Sequence, residues 1–207
     1  LSEEILKTVK DAYRKLRNTC RFLLGTLHDF DPERDSQPLE AMDALDRWAL
    51  ARTSSVMEKV ADAYARCEFH TIYHLLVRFA TVDLSNVYLN SLKDRLYCSA
   101  RDDAARRASQ TAIYGVLQAL VRMMAPVLAF TADEVWEHMP RASADPDNVH
   151  LALLLHLDPV WQDTVAAWPN PDLEARWDLL RDVQTEVQRQ VDALRPKKRG
   201  EREPGQI

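Results

Sequence analysis

Apolar residues recur at alternating intervals of three and four near the start of the chain, which is the spacing of one face of an α-helix. The set comprises Ile5, Val9, Tyr13, Leu16, Cys20, Leu23 and Leu27. Ser2 is suited to cap the helix, and Glu3 and Glu4 follow in the first turn, where the helix dipole favours negative charge. The pattern predicts one long amphipathic helix that ends near Leu27.

The same periodicity predicts three more long helices, over about residues 39–66, 68–97 and 103–125. Pro126 should end or kink the last of these, because proline cannot continue the backbone hydrogen bonding of a helix. Thr131 and Glu134 have the spacing of a capping box, which predicts a short helix that begins there and stops at Pro140.

The pattern changes after residue 140. Residues 141–150 are rich in Asp, Pro and Ser and are typical of a linker, whereas the apolar run 151–157 is compatible with a strand, a question that periodicity leaves open. Asn170 and Pro171 fit the first positions of a last helix, which Pro196 ends.

These elements predict an all-α fold, a bundle of four long helices plus a short capped helix. We expect this bundle to occupy residues 1–140. An appended segment with one further helix follows over 141–195, and residues 196–207 are charged and expected to be disordered.

A row of basic residues runs along the first helix, also at intervals of three and four, roughly 120° around the axis from the apolar row. We call Lys7, Lys10, Arg14, Arg17 and Arg21 the basic row. Water, acidic side chains or phosphate groups could each satisfy it. Asn18 adds an amide, a group that can hydrogen-bond to base edges.

Overall charge and glycine content exclude several functional classes. The net charge is −5, with 27 basic and 32 acidic residues, so any binding to a polyanion must use a local patch. The chain has 4 glycines and no glycine-rich phosphate loop, and it lacks the G-x-S-x-G turn of many hydrolases. We therefore predict no catalytic residue.

The 3 cysteines form no C-x-x-C pair, which indicates reduced thiols and a cytoplasmic protein. No apolar run approaches the length that spans a membrane, so no membrane partner is expected. The chain begins at a helix cap without an initiating Met, and we expect it to be part of a longer protein.

Cys67, His70 and His74 share one helical face and are residue types that bind zinc. No fourth ligand lies nearby in the sequence, and both histidines flank apolar residues. We favour packing histidines and predict no metal, and a helical metalloprotein is kept as the weakest alternative.

Several short sequence motifs resemble those of the anticodon-binding domain in the class I isoleucine–tRNA ligase (isoleucyl-tRNA synthetase) family. They are R-N-T-C-R-F-L-L at 17–24, L-D-R-W-A-L at 45–50, E-F-H-T-I-Y-H at 68–74, V-D-L-S-N-V-Y at 82–88, K-D-R-L-Y at 93–97, A-P-V-L-A-F-T-A-D-E-V-W at 125–136, V-H-L at 149–151 and L-E-A-R-W at 173–177. The order and spacing are similar over about residues 1–185.

This resemblance implies a module that binds the anticodon arm of tRNA and positions it for a catalytic domain of the same polypeptide. That domain would use ATP and Mg, and its H-I-G-H and K-M-S-K-S signatures are absent here. The chain by itself should need no cofactor, should not charge tRNA, and is expected to be monomeric. The predicted nucleic-acid-binding residues are Lys7, Lys10, Arg14, Arg17, Asn18, Arg21, Lys93 and Arg95.

Two alternatives accompany this interpretation. The related valine and leucine enzymes share the D-R-W segment, although the D-L-S and K-D-R-L-Y words are more similar to the isoleucine enzyme. A helical scaffold that binds protein would satisfy the basic row with acidic side chains. Asn90 also departs from the family, which tends to have Asp there, and the resemblance ends after Leu194.

Overall fold

The computed structural model describes residues 3–194, which form two compact units divided between Pro171 and Asp172. The helices of the first unit are α1 (Glu3–Thr26), α2 (Ala44–Ala65), α3 (Phe69–Arg78), α4 (Asn90–Cys98), α5 (Ala104–Met124), α6 (Ala129–His138) and α7 (Gln162–Ala166). Helix α8 (Pro171–Leu194) forms the described part of the second unit. No strand occurs within residues 3–194, and the predicted all-α bundle is confirmed.

Helix α1 follows its predicted apolar row for only part of its length. Leu16, Cys20 and Leu23 are buried, whereas Val9 and Tyr13 of the same row are exposed. Burial also raises the pKa of the Cys20 thiol to about 12. The second half of α1 therefore belongs to the core. The predicted cap, Ser2, lies outside the described residues.

Helix α5 runs through the centre of the bundle, and nearly all of its side chains are buried, including Gln110, Gln118 and Arg122. It packs chiefly against α2. Helix α2 starts later than predicted, because Leu39–Ala41 forms a separate 3₁₀ turn. The carboxylate of Asp43 then caps α2 by accepting hydrogen bonds from two backbone amides.

One nearly continuous rod follows, as predicted for residues 68–97, but its middle is not α-helical. Phe79–Leu89 has the wider turns of a π-helix and joins α3 directly to α4. The Ser85 hydroxyl donates to the carbonyl of Ala80, five residues earlier, at 2.8 Å. Thr19 of α1 donates to the same carbonyl at 3.3 Å. These side chains satisfy a carbonyl group that the wide turn leaves open.

The capping box predicted at Thr131 is wrong. Helix α6 begins two residues earlier, at Ala129, because the turn after Pro126 already starts its backbone hydrogen bonding: the amide of Ala132 donates to Leu128. The Thr131 hydroxyl instead lies 3.0 Å from the Tyr13 hydroxyl. This side chain joins α6 to α1 rather than starting a helix.

Residues 141–171 pack on the bundle instead of forming a free linker. The apolar run contains two 3₁₀ turns, Val149–Leu151 and Leu155–Leu157, so no strand forms there. Arg122 of α5 holds this segment through Asp145, at 3.2 Å, and Asp158, at 2.8 Å. The structure thus places the first part of the predicted appended segment in the first unit.

Helix α8 confirms the last predicted helix. Leu180, Val183 and Val187 on it are exposed. The predicted disordered tail, 196–207, lies outside the described residues. Within residues 3–194, no helix is both long enough and apolar enough to cross a membrane.

Two buried carboxylates of the first unit have opposite pKa shifts. Burial would raise the pKa of Asp29, but hydrogen bonds from Arg106 and Gln110 outweigh it and hold the pKa well below its usual value. Asp46 accepts hydrogen bonds from Tyr88, Ser109 and Arg95, yet burial dominates and raises its pKa to about 6.

We predict a stability maximum near pH 4–5 from these shifts. The contribution of Asp29 to stability is fully present above the unfolded pKa of about 4. It is lost as the pH falls below 4 toward the lower pKa of Asp29 in the folded protein. Asp46 acts oppositely, because ionising it in the folded protein is unfavourable, and stability declines as the pH rises from about 4 to 6. Urea unfolding at pH values from 2.5 to 7.5 measures the free energy of unfolding on both sides of the maximum. Asp46→Asn should remove only the decline above the maximum, and a free energy that rises steadily up to pH 7 would contradict the raised pKa of Asp46.

Candidate nucleic-acid interface

The basic row lies on the exposed face of α1. Lys7, Lys10, Arg14, Arg17 and Arg21 are all exposed. The same helix buries Leu16, Cys20 and Leu23, so packing of the apolar side fixes the direction in which the basic side points. The apolar and basic faces predicted from spacing are therefore both present in the second half of α1.

Two arginines of the row form ion pairs within the chain. Arg14 lies 3.0 Å from Asp11, one turn away, and Arg17 lies 2.9 Å from Glu134 of α6. The side chains of Arg17 and Glu134 are 45% and 53% exposed, so water and salt screen the attraction. Such exposed pairs contribute about 0–1 kcal/mol, which a phosphate group can readily replace.

A polar cleft lies beside the row, between α1, the π-helical segment and α4. We call it the asparagine cleft; its volume is about 430 Å³. Its walls are Lys15, Asn18, Thr19, Phe22, Thr81, Ser85, Asn86, Leu89, Asn90 and Lys93. No carboxylate belongs to this lining set. The cleft brings together Asn18 and Lys93, two predicted site residues that lie far apart in the sequence.

Asn90 is part of this cleft, and its side-chain oxygen accepts a hydrogen bond from the Lys93 ammonium group at 3.0 Å. The amide of Asn90 is uncharged, whereas a carboxylate at this position would add a negative charge to the cleft, so the Asn makes the cleft more favourable for a polyanion.

An aromatic pair adjoins the cleft. The rings of Phe22 and Tyr97 meet edge to face with centroids 6.4 Å apart, and Tyr97 is largely exposed. Sequence reasoning identified no exposed aromatic residue for base stacking. Lys15, Asn86 and Asn90 were not predicted either. Asn86 and Asn90 lie on the rod, where the π-helical segment changes which residues face α1. Lys15, Asn18 and Phe22 are spaced i, i+3 and i+7, and this spacing indicates that they share one face of α1.

A second cleft, of about 470 Å³, lies on the other side of the row. Arg17 and Arg21 line it together with Glu134 and His138 of α6. Cations and a carboxylate both face this space, so it is less favourable for an anion than the asparagine cleft.

Arg95 makes contacts within the fold. Its guanidinium group donates to Asp43, to Asp46 at 3.2 Å and to Ser109 at 2.8 Å. These contacts join α4 to the start of α2 and to α5. The guanidinium group of Arg95 is therefore engaged within the fold, and an RNA contact by Arg95 stays a prediction.

The structure does not support the metal alternative. Within residues 3–194, no three His, Cys, Asp or Glu side chains are grouped in a way that could hold a metal ion. His70 and His74 are exposed, so the prediction that they pack in the core is also wrong. His70 lies 3.2 Å from the Thr71 hydroxyl, and the His74 ring contacts the Tyr73 ring.

Comparison with known proteins identifies similar chains. Residues 46–201 match the family described as the anticodon-binding domain of tRNA ligase. The chain is 46% identical over 199 residues to an isoleucine–tRNA ligase of Halorhodospira halophila and 44% identical over 188 residues to one of Symbiobacterium thermophilum. It is 44% identical over 198 residues to one of Geobacter sulfurreducens. These matches cover 96%, 91% and 96% of this chain but only 19–20% of each relative, so the chain spans about a fifth of their length.

Proposed function

Because the chain belongs to the anticodon-binding domain family of tRNA ligases, we propose that it binds the anticodon arm of the isoleucine tRNA through α1. The observation that carries the proposal is the exposed basic row beside a cleft whose lining contains no carboxylate. Each cation that neutralises a phosphate releases bound counterions, which gives affinity that depends on salt and little on sequence.

The asparagine cleft supports a second, more selective contact. Side-chain amides donate and accept hydrogen bonds, as the edges of unstacked bases require. Asn18 and Asn86 offer such amides, while Lys15 and Lys93 offer charge for the adjoining phosphates. The Phe22–Tyr97 pair offers aromatic surface for stacking. The row would therefore hold the RNA backbone and the cleft would select the bases.

The role we propose is positional. By holding the anticodon arm, the module would orient the acceptor end of the tRNA toward a catalytic domain, and correct placement accounts for much of an enzyme's rate. Ligation with ATP and Mg would belong to that domain of an isoleucine–tRNA ligase, and this module would need no cofactor of its own. We place it in the cytoplasm, as part of a monomer, and its three free thiols are compatible with a reducing compartment.

A protein-binding role for the first turns of α1 is a second candidate. Leu6 and Val9 are exposed there, and Phe130 at the start of α6 is 93% exposed. Exposed apolar side chains of this kind are typical of protein contacts. A neighbouring domain of the same polypeptide would cover this region while the basic row remained open to RNA.

Replacing Arg14, Arg17 and Arg21 together with Ala tests the proposal. We expect tRNA affinity at 0.1 M salt to fall about 10–100-fold, and the slope of log affinity against log salt to decrease by about 2–3, since three phosphate contacts are lost. Binding of a tRNA transcript by the full chain, measured by fluorescence anisotropy at five salt concentrations, gives both quantities.

The control replaces Arg66 and Arg189, exposed arginines that also pair with nearby glutamates. This control should leave the affinity and the slope unchanged. In the asparagine cleft, Asn18→Ala with Asn86→Ala should weaken binding by a similar factor at every salt concentration. An unchanged slope and affinity for the triple variant would remove α1 as the RNA-binding surface.

A further inference from the structure

A second cavity, apart from α1, lies between the 32–42 loop, α5 and α7. We call it the aromatic pocket; it has a volume of about 490 Å³. Its lining residues include Tyr114, Trp161, Trp168, Met42 and Leu50, together with the carboxylates of Glu40 and Asp145. Nothing proposed above for α1 uses this cavity.

The aromatic rings of the pocket contact one another in a series. The centroids of Tyr114 and Trp161 are 5.7 Å apart with planes at 46°, and those of Trp161 and Trp168 are 6.5 Å apart with planes at 73°. Tyr114 and Trp168 are buried, whereas Trp161 is only half-buried. Trp161 is thus held in place by its neighbours while part of its ring stays accessible to a planar ligand.

Gly115 of α5 determines how closely this wall approaches the helix. A Cβ atom at that position would lie 3.0 Å from Cζ2 of Trp168 and 3.2 Å from a methyl group of Leu50. Any larger residue would push Trp168 away from α5. The glycine therefore allows Trp168 to pack directly on the helix and form the back of the pocket.

A basic cleft of about 700 Å³ shares Gln37 with this pocket. Arg34, Arg101 and Arg107 line it together with Asp35 and Asp102. Arg34 pairs with Asp35 at 2.9 Å, but its side chain is 70% exposed, so a phosphate group can replace this screened pair. We call it the arginine cleft. The side chain of Arg101 is 75% exposed, and within residues 3–194 it donates a hydrogen bond through its Nε alone, to Asp29 at 3.2 Å. Its two terminal nitrogens are therefore open to an anion.

The junction between the two cavities is fixed by hydrogen bonds. The backbone N–H of Gln37 donates to the Thr111 hydroxyl at 3.0 Å, and that hydroxyl donates to the backbone carbonyl of Arg107 at 2.8 Å. The loop that carries Arg34 and Gln37 is thus attached to α5 where the two cavities meet. An aromatic pocket and a guanidinium cleft are held side by side.

We propose that the two cavities together bind one nucleotide, with its base in the aromatic pocket and its phosphate in the arginine cleft. Stacking on Trp161 would provide affinity without strong sequence preference. The Gln37 amide and the Thr164 hydroxyl at the pocket wall can hydrogen-bond to base or ribose. Arg34 and Arg101 would contact the phosphate. A free nucleotide and an unstacked nucleotide of an RNA share this chemistry.

Adenosine 5′-monophosphate, adenosine and a short single-stranded oligoribonucleotide serve as the probes. Isothermal titration of the full chain gives affinities, and saturation-transfer NMR shows which ligand protons contact the protein. We expect Trp161→Ala to weaken binding of the monophosphate and of adenosine about 5–100-fold, the range for loss of one stacked base. Arg34→Ala with Arg101→Ala should weaken the monophosphate and leave adenosine unchanged.

Two further variants isolate the site. Thr164→Trp should fill the pocket mouth and block both ligands without removing a buried side chain. Arg66→Ala, which removes an exposed arginine paired with Glu68 elsewhere, should have no effect. The triple α1 variant should bind the monophosphate normally, so failure of the tRNA proposal and failure of this one give different results.

The binding results distinguish an RNA ligand from a free nucleotide. Trp161-dependent binding of the oligoribonucleotide would identify RNA as the source of the nucleotide, and Trp161-dependent binding of the monophosphate alone would identify a free nucleotide. Saturation of ribose protons without base protons would overturn the proposal. So would equal affinity for the monophosphate before and after loss of Arg34 and Arg101, or binding of none of the three probes.

Discussion

Replacing Asp29 with Ala is expected to lower the free energy of unfolding by about 3–5 kcal/mol, the usual effect of removing one partner from a buried ion pair. The Asp29 side chain is 2% exposed. It accepts two hydrogen bonds from Arg106, at 2.9 and 3.0 Å, and one from Gln110 at 2.8 Å. The change would leave the buried guanidinium group of Arg106 without its counter-charge.

Urea unfolding at pH 7 measures this effect. Asp102→Ala is the matched control, because Asp102 is exposed close to the same arginines in the sequence and should change stability by less than about 0.5 kcal/mol. Joint replacement of Asp29 and Arg106 with Leu should cost less than Asp29→Ala alone, since the buried guanidinium group of Arg106 is removed together with its partner. A loss below about 1 kcal/mol for Asp29→Ala would mean that water reaches Arg106 easily.

Replacing Arg122 with Ala should lower the free energy of unfolding by a similar amount. Here a buried cation is lost instead of a buried carboxylate. The Arg122 side chain is 1% exposed and donates to Asp145 and Asp158, at 3.2 and 2.8 Å. Its guanidinium carbon also lies 5.4 Å from the centre of the Trp136 ring. Loss of this cation leaves two carboxylates facing each other's charge in a poorly hydrated space, and we expect about 3–5 kcal/mol of destabilisation.

The loss should be concentrated in residues 141–171, because Arg122 attaches them to α5. Hydrogen exchange should show that amides of this segment lose protection before those of α2 and α5. Arg141→Ala is the control, since Arg141 is exposed and bonds only to backbone carbonyls of its own loop. Uniform loss of protection across the first unit would show that the segment does not open on its own.

Much of the fold follows from apolar periodicity. The long helices were predicted from apolar residues that recur at helical spacing, and in the second half of α1 the recurring residues Leu16, Cys20 and Leu23 are indeed buried. Two details were not predictable from local pattern. The π-helical turns depend on side chains of another helix, such as Thr19, and the packing of residues 141–171 depends on Arg122 far away in the sequence.

The candidate interface shows the same limit. Spacing along α1 predicted the basic row, since that row is a property of one helix. Spacing could not separate Lys93, which reaches the asparagine cleft, from Arg95, which is two residues away and bonds to Asp46. Both are cations on the same helix, and only the position of α2 decides which one faces solvent.

The α-helical turns of α4 decide where Lys93 and Arg95 point. A loop can gain or lose a residue with little effect on the elements it joins. Removing one residue of α4 ahead of Lys93 would instead rotate the rest of the helix by about 100°. Lys93 would leave its cleft and Arg95 would lose its carboxylates in the same step, so natural selection should tolerate substitutions here far better than insertions or deletions.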